Sequence, residues 1–158
     1  MPRLLLLDSS VLAKVVRPDL EDNKSISATI HHLAGDSNFE ICVPEIIDYE
    51  LRRKLLHLTQ RPHNPRKWAQ DALILLDRWG DLNYAPLTTE TMRLAAKIWA
   101  QTRGKGELRG PEASLDVDAI LAAQATQTGG SIITTNEKHF RNIADVFDWT
   151  SVLNSLSS

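Results

Sequence analysis

Only one of the 158 residues, Cys42, is a cysteine. No disulfide can form within the chain, which suits a reducing, cytoplasmic compartment. With five scattered histidines and a single thiol, no spacing resembles a zinc site. Long apolar runs are missing as well. The opening Leu4 to Leu7 stretch is ended by Asp8, too short for a secretory core or a membrane span. No repeat and no low-complexity tract is present, and no G-x-G-x-x-G follows the first apolar run, which argues against a dinucleotide site. Positive charge is not in excess either: 18 Lys and Arg against 20 Asp and Glu leave a net charge of −2. Nucleic-acid binding must therefore rest on local patches. What remains is 42% hydrophobic and 24% charged residues, the composition of a folded chain long enough for its own core. One domain over 1–158 is expected.

Short apolar runs alternate with amphipathic stretches. Leu4 to Leu7, Phe39 to Val43, Leu82 to Leu87 and Ser131 to Thr134 read as strands, and the first and last are apolar enough to be buried on both faces. Between them the spacing predicts helices: one capped by Ser9 or Ser10 and limited by Pro18, one around Ser25 to Ala34, and one opening at Pro44-Glu45 with Ile47, Leu51, Leu55 and Leu58 as its buried stripe. Further helices run from Trp68 to a stop at Gly80, from a Thr88 or Thr89 cap through Trp99, and through Val117 to Ala125, ended by Gly129-Gly130. Gln60 to Pro65 and Gly104 to Ala113 read as loops, and the stretch around Val146 to Trp149 as a last edge strand. This alternation implies an α/β/α sandwich with a mostly parallel central sheet.

Ligands of open α/β sheets bind beyond the carboxyl ends of the strands. Asp8 directly follows the first strand. Asp118, with Asp116 just ahead of it, lies early in the helix before the last central strand. Glu50 sits beside the buried stripe of its helix, three residues after Ile47. Each has a purely structural role open to it: Asp8 as a helix cap, Asp116 or Asp118 as a cap or dipole partner, Glu50 as an ion-pair partner of the basic residues after it. Taken together they suggest more. Carboxylates sharing one crevice repel one another unless a cation lies among them, and hard ions such as Mg²⁺ or Mn²⁺ prefer oxygen ligands. That donor set points to phosphoryl chemistry.

Four segments in order resemble the PIN domain family, and within it the VapC-like toxin ribonucleases. They are Leu5-Leu6-Leu7-Asp8-Ser9-Ser10, Tyr49-Glu50-Leu51-Arg52-Arg53, Asp118-Ala119-Ile120-Leu121-Ala122-Ala123, and Ile132-Ile133-Thr134-Thr135-Asn136 with His139-Phe140 beyond. The resemblance extends over about Arg3 to Trp149. It implies a metal-dependent endoribonuclease in which Asp8, Glu50 and Asp118 are catalytic. Asp8 and Asp118 would hold Mg²⁺ or Mn²⁺, with Asp116 adding a carboxylate. Ser10, Thr134 and Asn136 would border the substrate. Many members carry a fourth acid where this chain has Asn136, which leaves the number of ions open. The resemblance also implies a small antitoxin as partner, a homodimer, and no membrane.

RNA contacts require positive charge, and two stretches offer it: Arg52, Arg53, Lys54, Arg61, Arg66 and Lys67, and then Arg103, Lys105 and Arg109. Tyr49 and Trp68 are candidate stacking surfaces. A rival reading keeps the fold without the chemistry, as an inactive module that binds RNA or protein. A phospho-accepting receiver is a weaker rival, because Asp8 has no adjacent acid and only Lys138 follows the last strand.

Overall fold

A computed structural model of the chain describes residues 1–104 and 112–158. Four parallel strands form the central sheet: β1 (Arg3–Leu7), β2 (Phe39–Pro44), β3 (Tyr84–Ala85) and β4 (Ser131–Ile133), in the order β3-β2-β1-β4. β1 is interior, with Leu5 opposite Ile41 on one side and Ser131 on the other. Leu5, Leu6 and Leu7 are wholly buried, as are Ile132 and Ile133. An unbroken apolar run is what a strand covered on both faces requires.

Helices flank the sheet: α1 (Ser9–Val15), α2 (Lys24–Gly35), α3 (Glu45–Thr59), α4 (Lys67–Leu82), α5 (Thr89–Gly104), α6 (Glu112–Thr128) and α7 (Trp149–Leu156). The α3 stripe is buried at Ile47, Leu51 and Leu55, as its periodicity predicts. Thr88 caps α5, its hydroxyl accepting the Thr91 N–H at 3.0 Å.

Four expectations are corrected. The cap of α1 is Asp8, and Ser9 and Ser10 are its first helical residues. Gly80 does not end its helix, and α4 continues to Leu82. The third strand shrinks to Tyr84–Ala85, because Pro86 has no N–H to offer a ladder. The stretch near Val146 makes a single bridge to Ile132 and no strand. Asp148 then accepts the Thr150 N–H at 3.1 Å and starts α7, a helix that the sequence pattern did not predict. Most of the expected loop at Gly104 to Ala113 lies outside the described residues.

The turn from α6 to β4 fixes how the last central strand meets β1. Gly129 adopts a φ of 68°, and the N–H of Gly130 returns to the Ala125 carbonyl at 2.9 Å. Together these make the left-handed C-terminal cap that glycine favours. A Cβ on Gly130 would lie 2.4 Å from Leu6 Cδ1 and 3.1 Å from the Leu4 carbonyl oxygen. Leu6 is fully enclosed, so it cannot move aside without repacking the core. Gly130→Ala should therefore lower unfolding free energy by about 1–3 kcal/mol, measured by denaturant titration.

Candidate active site

Asp8 ends β1 and caps α1, and it is only 5% exposed. An unpartnered carboxylate buried to that depth would cost several kcal/mol. The fold answers with donors. Oδ1 accepts the N–H of Ser9 at 2.7 Å. Oδ2 accepts the hydroxyl of Thr134 at 2.7 Å and that of Ser10 at 3.1 Å. The hydroxyls are themselves held by the segment that follows β4: the Thr135 N–H donates to Ser10 Oγ at 3.1 Å, and the Asn136 N–H to Thr134 Oγ1 at 2.9 Å. Charge-assisted bonds of this kind are worth about 1.5–3 kcal/mol each. They lock the ends of two neighbouring strands together around one negative charge.

Asp118 projects from α6 with its side chain 15% exposed, and its Oδ2 lies 3.4 Å from His139 Nδ1. Its pKa is pushed up to about 6, first by burial, then by the negative charge of Asp8, with a further contribution from Glu50; His139 pulls the other way. Carboxylates contributed by β1, α3 and α6 therefore share one electrostatic field. Glu50 is 16% exposed and pairs with Lys54 at 3.0 Å, one turn along α3. Such an i,i+4 pair with an exposed lysine is worth only a few tenths of a kcal/mol, so Glu50 is readily released.

Among the described residues, no three Asp, Glu, His or Cys side chains are gathered tightly enough to enclose an ion. The chemistry of the donors nevertheless suits a hard divalent cation. They offer oxygen alone, they are mostly withdrawn from water, and their mutual repulsion is relieved only in part by His139 and Lys54.

Not every residue singled out from the sequence joins this group. Asp116 is exposed and borders an apolar groove between α5 and α6 with Met92, Ala95 and Trp99. Two residues apart on a helix means nearly opposite faces, so Asp116 does not come to the crevice with Asp118. Ser10 and Thr134 are committed to Asp8. Asn136 is exposed, and its side-chain amide makes no hydrogen bond among the described residues.

Half of the first basic stretch is occupied, and Arg61, Arg66 and Lys67 stay exposed. Arg52 bridges Asp48 at 2.9 Å and Asp77 at 2.7 Å, Lys54 is held by Glu50, and Arg53 lies over the Tyr49 ring. Trp68 packs against the core under the Arg17 guanidinium. In the second stretch, Arg103 lies over Trp99, while Lys105 and Arg109 fall outside the described residues. Sequence reasoning missed His139 as the partner of Asp118, and Trp149, whose indole Nε1 donates to the Thr134 carbonyl at 3.0 Å. A histidine and a tryptophan near a strand end were the only signals available.

The PIN domain family model matches residues 5–146, nearly the whole chain and all three carboxylates. This chain belongs to the PIN domain family. No curated protein matches it in sequence. Solved structures resemble this PIN domain in fold. VapBC2 from Rickettsia felis, bound to a DNA fragment of its promoter, has a TM-score of 0.69 at 16% identity, covering 92% of this chain and 98% of that one. DNA-bound VapBC from Salmonella typhimurium gives 0.68 at 18% identity, with 94% and 99% covered. VapC20 of Mycobacterium tuberculosis, a toxin that cleaves the sarcin-ricin loop, gives 0.53 at 14% identity, with 93% of each chain covered.

The Asp118 shift carries a stability cost. Below the ordinary value of 3.8, folded and unfolded chains both hold the proton and nothing is lost. Between that value and about 6, the folded state keeps a proton that the unfolded chain has released, so stability falls as pH rises; above it the cost is complete. Asp118→Asn should therefore stabilise the metal-free PIN domain at pH above about 7 by about 1–2 kcal/mol after solvent screening. The gain should vanish below about pH 4, as read from denaturant unfolding in EDTA.

Proposed function

We propose that this PIN domain is a metal-dependent endoribonuclease that hydrolyses phosphodiester bonds of RNA, and that it is the toxin of a type II toxin–antitoxin pair. The observation that carries the reading is the electrostatic coupling of Asp118 to Asp8 and Glu50. Acids distant in sequence lie near enough for the charges of Asp8 and Glu50 to raise the pKa of Asp118, a cost to stability that a purely structural role would not require.

Asp8 and Asp118 would hold Mg²⁺ or Mn²⁺. Bound there, the ion would supply Lewis-acid polarisation of a phosphoryl oxygen and stabilise the leaving oxygen. Each residue has its own task. The Ser9 N–H, Ser10 and Thr134 keep the Asp8 carboxylate fixed and oriented. Glu50, released from Lys54, orients a water and accepts its proton. Asp118 must lose its proton before it can act as a ligand, so loading weakens as pH falls through about 6. Asn136 offers its free amide to substrate, without the charge of an acid.

Partners follow from the same reading. VapC-like toxins are held by small antitoxins, and the VapBC structures are similar in fold to this chain. A small antitoxin that covers the crevice, a homodimer and a cytoplasmic location are proposed for this chain by that analogy of fold. No helix among the described residues is long and apolar enough to cross a membrane.

Cleavage of RNA by the purified chain should require Mg²⁺ or Mn²⁺ and stop in EDTA. Asp8→Asn should retain the fold by circular dichroism and lower the cleavage rate by at least about 10²-fold. Cutting by that variant at the parent's rate would remove the carboxylate from the mechanism. A parent that binds RNA and never cuts it, with either ion, would favour an inactive binding module instead.

A further inference from the structure

Beside the carboxylates lies a second feature that the mechanism does not use. A cleft of about 510 Å³ opens between the segment after β4 and the start of α7, lined among others by Thr134, Asn136, Lys138, His139, Arg141 and Trp149. It adjoins the acids through two of its lining residues. Thr134 is the donor to Asp8, and His139 is the neighbour of Asp118.

Charge changes sign across that boundary. Lys138 and Arg141 are exposed, and neither has an ion-pair or hydrogen-bond partner among the described residues. Glu137 is the one acid lining the cleft, and it does not pair with either of them. The loop that carries the two cations is not loosely attached. Phe140, between them, is fully buried in the core, and a short 3₁₀ turn over Glu137–His139 precedes it. Lys138 and Arg141 are therefore held at the surface by a core anchor. On the far side, the Trp149 indole is half-buried and keyed by its Nε1 to the Thr134 carbonyl at 3.0 Å. An indole that lines the cleft is thus tied to the same residue that orients Asp8.

Two exposed cations and an indole lining one cleft match the chemistry of a nucleotide whose base is unstacked. Arginine and lysine take the phosphate, and the ring takes the π-face of the base. A duplex keeps its base faces covered and cannot use the indole. Resting on the ribonuclease reading above, we propose that this cleft is a subsite for an unpaired RNA nucleotide next to the scissile linkage. Lys138 and Arg141 bind its phosphate and Trp149 stacks its base.

The test measures binding of a short labelled oligouridylate, and of the same strand annealed to its complement, by fluorescence anisotropy over a range of salt concentrations in a calcium buffer. The single strand should bind more tightly than the duplex. Lys138→Ala with Arg141→Ala should weaken single-strand binding by about tenfold or more and reduce the slope of log affinity against log salt by about 0.7, one phosphate's worth. Trp149→Leu should weaken it by about tenfold, and Trp149→Phe, which keeps a ring, by no more than about twofold. Unchanged affinity and salt slope in the double alanine variant, or equal binding of duplex and single strand, would overturn the subsite. If the parent still cleaves RNA in that case, the subsite alone fails. If the parent neither binds nor cuts RNA, the ribonuclease reading fails with it.

Discussion

Burial of the Asp8 carboxylate is the constraint around which this end of the molecule is organised. A charge only 5% exposed must be surrounded by donors, and the donors must come from somewhere. One comes from the first turn of α1, through Ser9. The others are hydroxyls that meet from opposite directions: Ser10 from α1 and Thr134 from the end of β4. Because the backbone of Thr135 and Asn136 in turn holds those hydroxyls, the strand ends, the capped helix and the following loop form one hydrogen-bonded unit. Removing any part would leave a buried polar group unsatisfied, which is more costly than the bond itself was worth.

The negative potential at this unit has consequences for its neighbours. Asp118 holds its proton up to about pH 6 because burial and the charges of Asp8 and Glu50 disfavour ionisation. His139 and Lys54 relieve the repulsion incompletely, and both are largely exposed, at 54% and 61%. Sites that concentrate like charge at a cost to stability are commonly functional ones. The adjoining cleft has the opposite character, with two cations free of acid partners among the described residues and an indole in its lining. A polyanion that reaches the acids with a cation between them would meet complementary charge immediately beyond.

Much of this was readable from residue order. The Leu4–Leu7 run followed by Asp8 marks a buried strand with an acid at its carboxyl end, and the 3.6-residue stripe through Ile47, Leu51 and Leu55 places α3. The elements that went astray did so for local reasons. Gly80 sits within α4 because tertiary packing overrides a modest glycine penalty. The third strand is cut short by a missing N–H at Pro86. α7 hides behind a sequence rich in serine and threonine, whose propensity is weak until Asp148 caps it and Val152 and Trp149 pack on the core.

Sequence alone determined which side chains carry charge, which stripes are apolar and where the first strand must stop, because those follow from composition and short-range periodicity. Tertiary structure decided which charges meet. Asp116 and Asp118 are indistinguishable as letters, yet helical rotation sends one to an apolar groove and the other to Asp8. Arg52 looks like an RNA contact until two aspartates from different helices neutralise it. Lys138, Arg141 and Trp149 mean little in the chain until a core phenylalanine and an indole hydrogen bond arrange them around one cleft. Electrostatic interaction depends on distance through space, and only the folded chain sets that distance.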